Sequence, residues 1–343
     1  MPPVVRAFLV DDSAVSRLAL RQALATDPRI EIVGEANSGE AALERIPGAS
    51  PDIVLMDIVM PGFDGFETTR ELMHGYARPI IVISDMGSNA ATGFEALRAG
   101  ALDVIGKPNA DELADPAWVR RFCHRIRMLA EIPVITRHRT EGSQPLVIEK
   151  SAIRPAGNRI EMVCIGASTG GPPALKAILD AIKSPPRWPV LIVQHMSKGF
   201  TNGMASWLGN ATNHDVRMAS DGERGQAGVF YIAPNGGHLE LGPHRLAVTS
   251  GPPLGGHRPA VDRLFSSAAR SRLASRTVAV LLTGMGSDGA RGLEELRKAG
   301  AWTIAQDEAS SVVYGMPKAA VDLDAACEVL PLTGIARYLG SIS

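Results

Sequence analysis

Residues 161–179 read EMVCIGASTGGPPALKAIL. The first five have the apolar, β-branched pattern of a short strand. Residues 166–171, GASTGG, form a tight glycine-rich turn. From Pro172 onward the pattern is helical, with prolines in the first turn, where a missing N–H costs little. Strand, Gly-x-Ser-x-Gly, helix is the context of a nucleophile elbow. Its glycines allow a sharp turn, and the helix N-terminus offers free N–H groups to a developing oxyanion. The same turn could instead cradle a phosphate or a dinucleotide, or serve structure alone. It is not GxGxxG and lacks the Gly-Lys-Ser/Thr ending of a P-loop. On this stretch by itself the three alternatives stay open.

The βα rhythm continues around this stretch. Strands are expected at 160–165, 188–193, 228–233, 277–282 and 301–305, and helices at 172–182, 201–210, 260–274, 289–299 and 315–321. Strands alternating with helices imply a parallel sheet, here a doubly wound α/β domain over 159–343. His195 follows the apolar run 190–193 and Gln194, which puts it at the same sheet edge as Ser168 if the two strands are neighbours. A lone histidine is more often a surface or satisfied core residue. Asp288 lies in the loop TGMGSDG, 283–289. It could merely cap the helix that follows. Capping does not explain the density of Gly284, Gly286 and Gly289, which can bring backbone amides close to a reacting centre. Ser168, His195 and Asp288 together would make a nucleophile, a base and an orienter. Their chain order differs from the Ser, Asp, His order of α/β-hydrolases, so a different fold is expected. His238 and His257 sit in glycine-rich loops as candidates for lining the same cleft, not for direct catalysis.

The first 110 residues carry five more strand patterns, at 4–10, 30–36, 52–57, 79–84 and 102–106. Helical segments 13–27, 38–46, 64–74 and 89–99 separate them. This is the rhythm of a flavodoxin-like five-stranded parallel sheet. Asp11 and Asp12 follow the first strand, Asp57 ends the third, Ser84 closes the fourth and Lys107 follows the fifth. Strand C-termini of such a sheet meet at one edge, where ligands bind. Three carboxylates gathered there call for a hard cation, and Mg²⁺ takes oxygen ligands. Asp57 is then the natural nucleophile for an acyl phosphate, with Lys107 meeting a phosphoryl oxygen. Any one of these acids alone would be read as a turn or cap residue; the set together is not.

Between the two halves, residues 131–158 lose the rhythm and scatter prolines among polar residues. The expected division is a domain at 1–125, a linker at 126–158 and a second domain at 159–343. With 35 basic and 36 acidic residues in 343, the net charge is −1. That balance leaves no footprint for nucleic acid or an anionic membrane. The three cysteines, Cys123, Cys164 and Cys327, are far apart and lack metal-ligand spacing. Residues 4–10 are too short for a signal sequence, and no apolar run reaches the roughly 18 residues of a membrane span. A cytoplasmic, monomeric protein without membrane insertion is expected.

The N-terminal part resembles response-regulator receiver domains through LVDDS at 9–13, LMDIVMPGFDG at 55–65, ISD at 83–85 and GKP at 106–108. The resemblance implies phosphorylation of Asp57 by a partner histidine kinase, with Mg²⁺ on Asp11, Asp12 and Asp57. It also implies that Ser84 and Lys107 sense the phosphoryl group. The sequence departs from the common pattern at Val104, where many receivers carry Tyr or Phe three residues before the lysine. That departure bears on an aromatic-rotamer switch and not on phosphorylation.

The C-terminal part is similar to the catalytic domain of chemotaxis protein-glutamate methylesterases, the CheB family. IGASTGGPPAL at 165–175, IVQHM at 192–196, YIAP at 231–234, HRPAVDRLF at 257–265, LLTGMGSDGA at 281–290 and QDEASSVVYGMPKAA at 306–320 carry the resemblance. It implies hydrolysis of glutamate γ-methyl esters, and deamidation of certain glutamines, on chemoreceptors. Ser168 would be nucleophile, His195 base and then acid, Asp288 orienter and the Met285 N–H an oxyanion donor. The esterase step would need no cofactor. A switch and a catalyst on one chain suggest that the receiver restrains the cleft. Moving the active fraction from about 1% to about 99% would take about 5.5 kcal/mol. Two other outputs compete: a deamidase or amidase with little esterase activity, and a non-catalytic effector that binds receptor tails or a kinase. The second has no need of all three candidate triad residues.

Overall fold

In the computed structural model the chain forms two compact units, Met1–Pro145 and Leu146–Ser343. The structure describes residues 3–84, 90–132, 134, 159–197 and 199–343.

The first unit alternates β1 (Val5–Val10), α1 (Ala14–Leu24), β2 (Ile30–Ala36), α2 (Gly39–Ala49), β3 (Ile53–Asp57), α3 (Gly65–Gly75), β4 (Ile80–Ser84), α4 (Ala90–Ala99) and β5 (Asp103–Gly106). The sheet order is β2-β1-β3-β4-β5, all parallel. The central strands are apolar throughout because helices cover both faces; β3 and β4 are buried at every residue. Short polar side chains start the helices. Ser13, Ser38 and Asp64 each accept an N–H from the first turn of α1, α2 and α3. The expected flavodoxin-like sheet is therefore present.

The chain then adds α5 (Ala110–Ala114) and α6 (Pro116–Ala130). The sequence reading had assigned no helix here. Its boundary at 125 falls inside α6, which places Ile126 and Leu129 in the core. Arg127 pairs with Asp27 at 3.0 Å, and Arg125 Nε donates to Asp103 at 3.0 Å. Residues 126–130 thus belong to this unit and not to a linker. The rest of the expected linker lies mostly outside the described residues.

The second unit is built on seven parallel strands: β6 (Met162–Ala167), β7 (Val190–Gln194), β8 (Asp215–Met218), β9 (Val229–Ile232), β12 (Thr277–Leu281), β13 (Trp302–Gln306) and β14 (Glu328–Leu330). Their order is β14-β13-β12-β6-β7-β9-β8. A separate antiparallel hairpin pairs β10 (His238–Leu241) with β11 (Leu246–Thr249). Helices α9 (Val261–Ala269), α10 (Ala290–Lys298) and α11 (Met316–Asp322) share one core layer with Cys164, Val193 and Leu281. Helices α7 (Gly171–Ala181), α8 (Phe200–Thr212) and α12 (Leu332–Ile342) pack with one another away from that layer. This is the expected doubly wound arrangement, with two edge strands, a hairpin and a last helix beyond those expected.

The chain winds from β6 towards β7 on one side and returns to place β12 on the other. The crevice at the carboxyl ends of β6 and β12 is therefore the topological switch point, where open α/β sheets bind ligands.

Candidate active site and phosphoacceptor pocket

Parallel pairing sets Ala167 opposite Gln194. Ser168 and His195 follow as the next residues of adjacent strands. The His195 N–H donates to Ala167 O at 2.9 Å, and the Ser168 N–H donates to Thr283 O at 3.0 Å, just beyond β12. The switch-point loops are thereby tied together around Ser168.

Gln194 reinforces that tie. Its Nε2 donates to Ser168 O at 2.7 Å and to His195 O at 2.8 Å. One buried amide holds the backbone of both residues. The sequence reading passed over Gln194; the signal was a polar residue closing an otherwise apolar strand.

His195 Nε2 lies 2.8 Å from Asp288 Oδ2. His195 Nδ1 is buried and has no hydrogen-bond partner among the described residues. With Nε2–H donating to the carboxylate, Nδ1 carries the lone pair. Asp288 accepts two further bonds, from Val261 N at 2.7 Å and Asp262 N at 2.9 Å. Asp288 does cap a helix, but it is α9 and not the helix that follows it. Asp262 in turn accepts the Gly292 N–H at 2.7 Å, in the first turn of α10. The loop leading into α10 thus caps α9, and α9 caps α10 in return. Burial works to raise the Asp288 pKa. The hydrogen bond and charge of His195 and the amides of Asp262 and Val261 outweigh it and hold the carboxyl below its usual range. Burial and the nearby Asp288 charge raise that of Asp262.

Three backbone features complete the crevice. The Met285 N–H has no acceptor among the described residues. Gly170, at φ 78°, turns the chain into α7. Gly284 has no room for a side chain: a Cβ there would lie 2.3 Å from Met316 Sδ and 2.7 Å from Ser168 Cβ. Gly284→Ala is expected to cost about 1–3 kcal/mol of stability by overpacking and to slow turnover by displacing Ser168. Urea unfolding beside an activity assay checks both. Beside Asp288 opens a cleft of about 630 Å³, walled by Leu254, His257, Arg291, Ala319 and Leu323. Cys164, close in sequence to Ser168, is no rival nucleophile, because burial pushes its thiol to about 12.

The first unit holds its own site. Asp57 ends β3 and Asp11 follows β1; both are buried. Lys107 Nζ reaches Asp57 Oδ2 at 2.8 Å and Asp11 Oδ2 at 3.0 Å. Oxygens of Asp11, Asp12 and Asp57 lie within 4.8 Å of one another. An all-oxygen, carboxylate-rich set of this size suits a hard divalent cation. Ser84 Oγ is buried with no partner among the described residues. Burial raises the Asp57 pKa, with Asp11 adding to it and Lys107 opposing. Burial works to lower that of Lys107, but the two carboxylates more than reverse it.

Known proteins bear directly on this geometry. Residues 163–339 match the family model described as CheB methylesterase, and residues 7–116 match the response regulator receiver domain. A Syntrophus aciditrophicus protein named protein-glutamate methylesterase/protein-glutamine glutaminase 1 is 40% identical, over 98% of this chain and 97% of its own. The chain belongs to the CheB methylesterase family. A Cupriavidus pinatubonensis relative with the same name is 41% identical over 98% of this chain and 96% of its own. The Thermotoga maritima CheB methylesterase catalytic domain superposes with a TM-score of 0.52 at 36% identity, covering 54% of this chain and 100% of that one. For a CheB-family chain, the receiver indicates regulation by phosphorylation. None of its described helices is long and apolar enough to cross a membrane.

Proposed function

We propose that this chain is a phosphorylation-regulated serine hydrolase of protein carboxyl groups. It would remove methyl esters from glutamates, and deamidate particular glutamines, on chemoreceptors. The observation that carries the reading is the buried His195 Nε2–Asp288 Oδ2 bond of 2.8 Å, which leaves Nδ1 as the basic nitrogen of a histidine that follows the strand adjoining that of Ser168.

The mechanism follows from those atoms. Ser168 Oγ attacks the ester carbonyl carbon as His195 Nδ1 takes its proton. Asp288 stabilises the imidazolium through Nε2–H. Negative charge grows on the carbonyl oxygen, and the Met285 N–H, which has no acceptor among the described residues, would meet it. The tetrahedral intermediate collapses, and His195 returns the proton to the departing methoxide, giving methanol. Water then attacks the acyl-serine with His195 again as base, which releases the glutamate carboxylate and restores Ser168. The same cycle with a carboxamide releases ammonia. Ser168 Oγ makes no hydrogen bond among the described residues in the free enzyme. Such contacts often close only in the substrate complex.

In the receiver, Asp57 Oδ attacks the phosphorus of a kinase phosphohistidine, and the histidine nitrogen leaves. Asp11, Asp12 and Asp57 would hold Mg²⁺, which screens charge on the transferring group. Lys107 would pair with one phosphoryl oxygen, and the Ser84 hydroxyl, which has no partner among the described residues, would donate to another. The expected kinase, receptor substrates, cytoplasmic location and monomeric state belong to this proposal.

Methanol release from methylated receptor membranes tests it, with and without a small-molecule phosphodonor. Wild type should release methanol and do so faster with the phosphodonor and Mg²⁺. Asp57→Asn should abolish the phosphodonor-dependent rise. Ammonia without methanol would favour an amidase; neither product would favour a binding role.

A further inference from the structure

The histidine outside the triad that touches its base is His257. Its ring stacks on His195 with centroids 3.9 Å apart and planes 2° from parallel. The contact is built by the local fold. Residues 254–257 form a two-residue hairpin turn: the Leu254 N–H donates to His257 O and the His257 N–H to Leu254 O, both at 3.0 Å. Gly255 and Gly256 carry φ of 58° and 88°. A turn with both central residues in the left-handed region needs glycine or a near equivalent.

The stems of this loop are stapled by a second histidine. His238 is fully buried. Its Nδ1 accepts the Ala260 N–H at 3.2 Å and its Nε2 faces Pro252 O at 3.0 Å. An accepting Nδ1 leaves Nε2–H as the donor to that carbonyl. His238 thus closes the loop from Pro252 to Ala260 at its base. The next two amides, Val261 and Asp262, are those that bind Asp288. One continuous segment therefore fixes both the partner at the edge of His195 and the partner on its face.

Resting on the hydrolase reading above, we infer that His257 is a positioning residue for the general base. Asp288 fixes one nitrogen but leaves the imidazole free to rock about the Cβ–Cγ bond. The parallel ring of His257 removes that freedom and holds the imidazole, and with it Nδ1, in one orientation. A stack of this kind needs a flat ring and no ionisable nitrogen. The same loop also walls the cleft beside Asp288. Misplacing a catalytic group by about 1 Å can cost about 100-fold in rate.

The test compares His257→Ala with His257→Phe in the full-length protein. His257→Ala should lower kcat by about 10- to 100-fold with KM for methylated receptor within about two-fold. His257→Phe, which keeps a flat ring, should recover most of that loss. Nitrogen-15 spectra of the His195 imidazole give a readout independent of turnover. Wild type and His257→Phe should show one Nε2–H tautomer, and His257→Ala a mixture. A kcat for His257→Ala within two-fold of wild type would overturn the inference. So would a His257→Phe variant as slow as His257→Ala, because a nitrogen would then be needed. If wild type releases no methanol at all, the hydrolase reading falls, and the tautomer spectra still decide whether the stack orders His195.

Discussion

Ser168→Ala should lower methanol release by about a millionfold, the scale seen when a hydrolase loses its nucleophile, while leaving the fold intact. The structure separates the two effects. Ser168 Oγ has no hydrogen-bond partner among the described residues, so removing it strands nothing. The contacts that hold the residue are made by its backbone: N–H to Thr283 O, and carbonyl to Gly171 N and Gln194 Nε2. Alanine keeps them all, and stability should stay within about 0.5 kcal/mol of wild type. A hydroxyl that contributes nothing to folding is the pattern of a group kept for chemistry. Methanol release and urea unfolding on the same preparation measure both quantities. A variant retaining a hundredth or more of wild-type activity would remove Ser168 from the mechanism.

Much of this was legible in the sequence, and what was not has physical causes. Strands buried on both faces are continuous apolar runs, so the central β6, β7 and β12 could be placed from pattern alone. Edge strands have no such pattern. β8 is four residues with no buried side chain and β14 only three, and both passed as loop. Helix α6 was passed over, although Val119, Phe122, Cys123, Ile126 and Leu129 recur at helical spacing and its four arginines fall on the other face. Its start was also marked by Asp115 and Pro116, a cap followed by a first-turn proline. Ser168, His195 and Asp288 stood out because each follows a strand, and a parallel sheet collects such residues at one edge. The supporting contacts are long-range and leave no local trace. The reciprocal caps of Asp288 and Asp262 join residues 26 to 30 positions apart. The His238 staple and the His257 stack depend on how one loop folds back on itself. Sequence placed both histidines near the cleft; only the three-dimensional arrangement distinguishes a buried brace from a ring against the base.

Asp288→Asn should cut kcat by about 10,000-fold, the effect of losing the correct histidine tautomer. Asp288 serves three donors with two oxygens: Oδ2 takes His195 Nε2–H and the Val261 N–H, and Oδ1 takes the Asp262 N–H. Asparagine has one accepting oxygen. If that oxygen takes the Oδ1 place it keeps only the Asp262 N–H, and the side-chain NH₂ faces both His195 and the Val261 N–H, forcing the histidine proton onto Nδ1, where it blocks the base. If the oxygen takes the Oδ2 place, the NH₂ meets the Asp262 N–H and the N-terminus of α9 loses part of its cap. The variant should therefore lose stability as well as rate, unlike Ser168→Ala. The pH dependence identifies the group. The Asp288 pKa is depressed in the folded state, so its contribution is present above the unfolded carboxylate value of about 3.9. It is lost as pH falls through the lower, folded value. The stability gap between wild type and Asp288→Asn should be open at neutral pH and narrow below about pH 4. A gap that persists unchanged into acid would mean that Asp288 holds α9 through geometry alone. Its charge would then be needed only by His195.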